Sequence, residues 1–339
     1  MSLAKKHKLN KILIIAEAGV NHNGNLEIAK KMVDKASQAG ANYIKFQLFN
    51  PYSLSTEYAN LPPYVKNSKV KNQLSLLKSL SLSKKDFLIL KKKCKSSKIG
   101  FLASAFDKES LDFLFNDMKL KLFKIPSGEI NNVPYLRHVG KFNKKIILST
   151  GMSNIKEIND AIKILVTSGT AKKNISILQC NTDYPCPYKF TNLNVIKEFK
   201  KIFSNNIGFS DHTLGIEISL AAVGMGANII EKHFTLNKNL PGPDHKASLD
   251  PIELKKLISS IRNIELSFGI KEKKISKNEK KNIKFVRKSI VANCDIKKGA
   301  IFTEKNLTTK RPGTGISPIN WDNLIGKKSL KNYKKNQLI

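Results

Sequence analysis

The chain is short of acidic charge and of paired cysteines. Only 26 aspartates and glutamates stand against 60 lysines and arginines, leaving a net charge of +34 over 339 residues. The four cysteines, Cys94, Cys180, Cys186 and Cys294, form no CxxC pair. That excludes a disulfide framework and a zinc ribbon and leaves reduced thiols as the default. No apolar run approaches the roughly 20 residues that span a bilayer, so no membrane partner is expected. The start, "MSLAKKHKLNKILIIAEAGV", imitates a secretory signal. Its apolar part is short, however, carries Glu17 and runs into further patterned sequence without a cleavage site. A cytoplasmic protein is the expectation. The lysines are spread over helix surfaces and turns, as in "KKDFLILKKKCKSSK", with no aromatic interleaving and no recognised nucleic-acid motif. Nucleic acid is therefore not an expected partner. The excess reads as lysine-rich surface solvation with modest help in attracting an anionic substrate.

What is present is a regular alternation of short β-rich runs with longer amphipathic segments. The strand candidates are "KILIIAEA", "NYIKFQ", "IGFLAS", "LFKIPS", "KKIILST", "ISILQC", "NIGFSD" and "NIIEKH". Each is rich in Ile, Leu, Val or Phe, as strands buried on both faces are. Between them lie helical patterns such as 26–39, 84–97, 108–118, 154–168 and 217–225. Eight βα units in about 250 residues predict an α/β fold, a (β/α)8 TIM barrel over residues 1–268. The alternative is a doubly wound open sheet, but "GVNHNG" after the first strand does not match GxGxxG. The polar stretch 269–284 reads as a linker. Residues 285–339 change style, with short β patterns, turn signals and one short helix near Asn320. A segment of about 55 residues is marginal alone and is expected to dock on something.

Catalytic groups of such a barrel sit at the carboxyl ends of its strands. Those positions carry Glu17; Lys45 and Gln47; Ser104; Lys124, Ser127 and Glu129; Ser149 and Thr150; Thr182 and Tyr184; Ser210, Asp211 and His212; and Glu231 and His233. Polar residues that merely mark where strands meet water explain two or three of these. They do not explain Lys, Glu and His converging on one mouth, where ionisable groups need partners. His212 and His233 end consecutive strands, which lie about 4.8 Å apart. Their imidazoles can meet on one divalent cation, with Glu17 or Asp244 nearby, and such a set suits Mn²⁺, Fe²⁺, Co²⁺ or Zn²⁺. Taken alone, the pair fits a hydrogen-bonded network equally well. Lys45 and Lys124, with the hydroxyls of Ser104, Ser127, Ser149 and Ser210, can form a pocket for a phosphate and a carboxylate. A barrel-strand lysine is also the mark of a Schiff-base aldolase. A non-enzymatic basic binding module is the third alternative.

In order along the chain, "IAEAGVNHNG", "IKFQ", "FKIPSGEI", "IILSTGM", "CNTDYP", "GFSDHT", "IEKHFT" and "PGPDH" resemble bacterial sialic acid synthases and the related legionaminic acid synthases. The tail "RKSIVANCDIKKGAIFTEKNLTTKRPGTGISP" resembles their C-terminal antifreeze-like (SAF) domain. The resemblance implies condensation of phosphoenolpyruvate with an open-chain N-acetylated amino-sugar aldehyde of mannosamine type. C3 attacks the aldehyde carbon, water adds at C2, and phosphate leaves by C–O cleavage. It also implies a divalent metal, usually Mn²⁺ with Mg²⁺ or Co²⁺ as alternatives, on His212 and His233. Phosphoenolpyruvate falls to Lys45, Ser104, Lys124, Ser127, Ser149, Thr182 and Ser210, and the sugar to Gln47, Tyr184 and Asp244. Glu17 and Glu129 become the acid/base and water-orienting carboxylates, and Asp211 a loop support. Arg311 matches an arginine that reaches the acylamino group from the other subunit of a domain-swapped homodimer. Two departures stand out. Many relatives carry Asn at the position of Thr182, and "LPPYVKNSKVKNQ" is too divergent to transfer residues. "EISLAAV" and "GPDHKASLDP" lie nearer the legionaminic type without deciding the acceptor.

Overall fold

Each of the eight apolar runs forms a strand, and the strands close on one another. In the computed structural model, which describes residues 11–61, 71–270 and 272–339, they are β1 (Leu13–Gly19), β2 (Tyr43–Leu48), β3 (Gly100–Ala105), β4 (Leu122–Ile125), β5 (Lys145–Ser149), β6 (Ile175–Cys180), β7 (Asn206–Asp211) and β8 (Ile229–His233). All pair in parallel and in sequence order, and β1 closes the barrel on β8 with Leu13 opposite Ile229 and Glu17 opposite His233. The basic start of the chain and most of "LPPYVKNSKVKNQ" lie outside the described residues.

A helix follows each strand: α1 (Leu26–Ala39), α2 (Lys84–Ser96), α3 (Lys108–Asp112), α4 (Val133–Gly140), α5 (Ile155–Thr167), α6 (Asn194–Ile202), α7 (Glu217–Gly224) and α8 (Pro251–Ser267). Their starts are written locally. Asn25 caps α1 through the N–H groups of Glu27 and Ile28. Asp250 and Glu253 form a reciprocal capping box on α8, with Pro251 as its first residue. Helix α1 buries Ala29, Met32, Val33 and Ala36, the i, i+3, i+4, i+7 spacing of one face. One expected helix divides: 108–118 is α-helical to Asp112 and continues as a π-helical turn, Phe113–Asp117. There Phe115 stacks on Phe142 at 4.2 Å between ring centroids.

The strands are buried on both faces, but the two faces differ. On β1, Ile14, Ala16 and Ala18 point outward into the main core beneath the helices. Ile15 points inward to meet Leu102, Ile147, Leu178 and Ile229, one from each of β3, β5, β6 and β8. Two residues further along, the same inward face carries Glu17, Ser104, Ser149, Cys180 and Glu231. The interior is thus an apolar plug capped by a polar layer, set by the period-2 alternation of strands.

The chain divides into two compact units at Phe268/Gly269. In the second, the stretch expected as a linker is partly helical: α9 spans Lys277–Val286, capped by Ser276 and Glu279. The antiparallel pair β9 (Ser289–Ala292) and β10 (Leu307–Lys310) follows, with Leu307 opposite Ala292. Its core is small: Ile290, Ala292, Ile296, Phe302, Leu307 and Tyr333.

Candidate active site

The polar layer converges on one carboxylate. Glu231 Oε1 lies 3.5 Å from Lys45 Nζ and 3.5 Å from Lys124 Nζ, and accepts a 3.0 Å hydrogen bond from Ser210 Oγ. Lys45 Nζ also meets Glu17 Oε2 at 2.9 Å and donates to Ser104 Oγ at 3.1 Å. Lys124 Nζ donates to Ser149 Oγ at 2.7 Å. These side chains come from seven of the eight strands, yet none is more than 5% exposed. Two buried ammonium groups and two buried carboxylates compensate one another, which burial of such charges requires.

The two carboxylates are driven apart. Burial raises Glu231, but Lys124 and Lys45 outweigh it and hold the carboxyl at about 2. Glu17 is pushed up to about 6, because burial outweighs the attraction of Lys45. One is therefore a fixed anion and the other a group that exchanges a proton near neutrality, the division of labour used in acid/base sites. Burial lowers Lys45, but Glu17 and Glu231 outweigh it and leave the group raised. Burial lowers Lys124, with Glu231 opposing.

Above this layer stand the imidazoles. The rings of His212 and His233 are 5.3 Å apart between centroids, and Tyr184 lies 4.3 Å from the first and 5.7 Å from the second. His212 Nδ1–H donates to the Asn181 carbonyl, which leaves the lone pair on Nε2. Cys180 Sγ lies 3.9 Å from His212 Nδ1. His233 Nδ1 is buried and has no hydrogen-bond partner among the described residues. Burial, then His212 and Lys45, lower His233 well below the usual imidazole range, so it is neutral. A neutral imidazole with an unused buried nitrogen, beside one whose tautomer is set by a carbonyl, fits a divalent cation. Among the described residues, no cluster of three or more His, Cys, Asp and Glu forms a metal site. Asp244 is buried nearby, raised to about 6 by burial against the pull of His212.

Two glycines mark where side chains crowd together. Gly19 stands at φ +51°, at a register shift between β1 and β2. A Cβ there would lie 3.3 Å from Glu17 Oε1, 3.4 Å from Gln47 Nε2 and 3.5 Å from His233 Cε1. Gln47 Nε2 donates to Glu17 Oε1 at 3.4 Å. Gly151, after β5, donates its N–H to Ser127 Oγ at 3.0 Å. A Cβ there would sit 2.8 Å from Thr182 Cγ2 and 2.9 Å from Ser127 Oγ. Ser127, Gly151 and Thr182 therefore line one narrow turn beside Ser149.

The structure gathers Glu17, Lys45, Gln47, Ser104, Lys124, Ser149, Ser210, Tyr184, His212 and His233 into one connected set. Glu129 stands apart. Its Oε2 accepts from Asn132 Nδ2 at 2.6 Å, and burial, with Asp107 adding to it against Asn132, raises it. None of its hydrogen bonds or ion pairs reaches the lysine cluster among the described residues. Arg311 lies in the second unit, exposed, with Nε donating to Val286 O at 3.0 Å. Asp211 points away from the mouth and accepts from Thr213 N and Oγ1 at 2.8 and 2.7 Å, the supporting role expected of it. Glu231 and Gly151 are the residues to which sequence reasoning assigned no role. Glu231 was visible as a strand-end acid, but its position between two lysines depends on three non-adjacent strands.

Comparison with known proteins places this geometry. The NeuB family matches residues 32–273, and the SAF domain matches residues 287–339. The chain is 50% identical over 336 residues to N,N'-diacetyllegionaminic acid synthase of Campylobacter jejuni, covering 98% of this chain and 99% of that one. It is 43% identical over 317 residues to the synthase of the same name from Legionella pneumophila, covering 92% and 89% of the two. The crystal structure of N-acetylneuraminic acid (sialic acid) synthetase from Leptospira borgpetersenii superposes with a TM-score of 0.72 at 34% identity, covering 81% of this chain and 91% of that one.

Proposed function

The chain belongs to the NeuB family, and from that premise we propose that it condenses phosphoenolpyruvate with an N-acetylated mannosamine-type sugar to give a nonulosonic acid and phosphate. Of the two products, legionaminate is favoured over a sialic acid by the two diacetyllegionaminate synthases that match at 50% and 43% identity. The observation that carries the reading is the shared Glu231: two buried lysines held side by side beneath a pair of imidazoles. Such a pocket accepts a small molecule with two anionic ends.

Lys124, Ser149 and the Ser127–Gly151–Thr182 turn take the phosphate, and Lys45 with Ser104 takes the carboxylate. Ser210 and Glu231 keep the two ammonium groups in register before the substrate arrives. His212 and His233 would hold the divalent ion, and Gln47, Tyr184 and Asp244 the sugar. Mn²⁺, in preference to Mg²⁺ or Co²⁺, would supply Lewis-acid polarisation of the acceptor's aldehyde oxygen. C3 of the enol attacks the aldehyde carbon, water adds at C2, and the C–O bond to phosphate breaks. Glu17, with its proton available near neutrality, serves the proton transfers at its Oε1, 3.4 Å from Gln47 Nε2. Glu129, set off from the cluster, is left the role of orienting water. The enzyme works in the cytoplasm as a domain-swapped homodimer in which Arg311 of each chain completes the other's site.

The test is phosphate release from phosphoenolpyruvate across a panel of N-acetylated mannosamine and 2,4-diacetamido sugars, with and without chelator. Release that requires an acceptor, is greatest with a 2,4-diacetamido sugar, stops in chelator and returns with Mn²⁺ supports the whole reading. Full turnover in excess chelator removes the metal. Borohydride trapping of pyruvate on a lysine replaces the mechanism with a Schiff base. For the dimer, Arg311→Ala chains are mixed with His212→Ala chains. Independent sites completed in trans restore up to about a quarter of wild-type activity. No recovery after confirmed subunit exchange means that the arginine acts within its own chain or not at all.

A further inference from the structure

On the outer face of β7 and β8, turned away from the mouth, lies a second buried ion pair that the proposed chemistry does not use. Asp211 and Lys232 are directly opposed in the β7–β8 register, 0% and 1% exposed, with Oδ2 and Nζ 2.9 Å apart. Every polar atom of the pair is engaged. Asp211 Oδ2 also accepts from Ser219 Oγ of α7 at 2.6 Å, and Oδ1 accepts from Thr213 N and Oγ1. Lys232 Nζ donates to Thr213 O at 2.6 Å and to Thr213 Oγ1 at 3.4 Å. The network therefore grips the residues on both sides of His212, and on β8 it grips the residue that precedes His233.

A buried ion pair is poor evidence of stabilisation, because desolvation cancels much of the Coulombic gain. What a fully satisfied pair does fix is geometry. Strand alternation places Asp211 and Lys232 outside while the neighbouring imidazoles face the mouth, so the pair cannot touch a ligand there. It can act on the imidazoles only through the backbone. We propose that Asp211 and Lys232, with Thr213 and Ser219, are positioning residues that set the separation of the His212 and His233 imidazoles and thereby the metal affinity of the site. This rests on the metal reading above. Partners that orient metal-binding imidazoles are worth about 10- to 100-fold in affinity when removed.

The experiment compares wild-type protein with the double variant Asp211→Leu/Lys232→Met, in which both charges give way to apolar side chains of similar size. Mn²⁺ affinity is measured by calorimetry in the absence of substrate, and the Co²⁺ visible spectrum reports ligand geometry. The double variant should bind Mn²⁺ at least about tenfold more weakly, with a shifted Co²⁺ spectrum. Its affinity for phosphoenolpyruvate without metal should stay within about twofold of wild type, because the lysine pocket lies on the other face of the strands. If the double variant does not fold, Ser219→Ala decides by the same readings. It keeps both charges and frees one side of Asp211, and weaker Mn²⁺ binding with a shifted spectrum is expected. Unchanged Mn²⁺ affinity and spectrum in a folded variant overturn the positioning role and leave the metal reading intact. No Mn²⁺ binding by wild type overturns both.

Discussion

Two levels of one barrel, built by the same strands, obey opposite rules. At the lower level Ile15, Leu102, Ile147, Leu178 and Ile229 fill the interior without a polar atom. Two residues higher, about 7 Å along the strands, Glu17, Lys45, Lys124 and Glu231 pack four ionisable groups at comparable burial. The lower level gains free energy by leaving water. The upper level gives free energy up, and is tolerable because each charge faces an opposite one and Ser104, Ser149 and Ser210 add hydrogen bonds to the lysines and Glu231. The contrast shows that burial does not separate structure from function in this barrel. Chemistry at equal burial does, with an apolar plug below and a charged layer above on the same strands.

The largest expected effect tests the lower level. Leu102→Ala leaves a cavity in the plug and should cost about 2–5 kcal/mol of stability, read by denaturant titration. Phosphoenolpyruvate affinity should stay within about twofold if the levels are separable, and a parallel collapse of affinity breaks the comparison. The second tests the upper level. Lys124→Met removes a charge-assisted contact worth about 1.5–3 kcal/mol, so binding should weaken roughly ten- to hundred-fold by calorimetry. Equal affinity removes Lys124 from the anion pocket.

A smaller effect is expected at the rim. Gly151→Ala forces a methyl group against Thr182 and Ser127 and should cost about 1 kcal/mol of phosphoenolpyruvate binding, roughly a five- to tenfold loss. Thermal stability should be nearly unchanged. Tighter or equal binding would move the phosphate away from that turn. A further effect is a pH dependence outside both levels. Burial holds His22, whose Nδ1 accepts from Gly24 N–H, at about 4, below the ordinary value of 6.5. Between pH 6.5 and 4 the unfolded chain takes up a proton that the folded chain refuses, so this contribution is complete above 6.5 and is lost as pH falls. The melting temperature of wild type should therefore drop further than that of His22→Gln on going from pH 7.5 to pH 5. Parallel curves would show that His22 is not held neutral.

The strands, the helices from 26, 84 and 154, and the ring of polar strand ends were legible because they rest on local rules: apolar runs, periodic faces and caps. The helix Lys277–Val286 in the stretch read as a linker shows the limit. It has no buried face, so no apolar stripe announces it, and only the Ser276–Glu279 capping box marks its start. The division of each strand into an apolar lower and a charged upper residue was present in the letters, as Ile15 then Glu17 or Ile229 then Glu231. Its meaning was not, because a strand buried on both faces gives no contrast by which to tell inside from outside.

By itself, the sequence determined the order of βα units, the residue types offered at the mouth and the absence of a dinucleotide turn, since each depends on neighbours within a few positions. Only the tertiary structure decided that Glu231 bridges Lys45 and Lys124, that Glu129 stands apart from them, and that Asp211 grips Lys232 rather than a ligand. Those outcomes depend on which residues of different strands reach the same height in the barrel. That height is set by the register between strands dozens of residues apart, which the packing of the whole barrel chooses and no local spacing encodes.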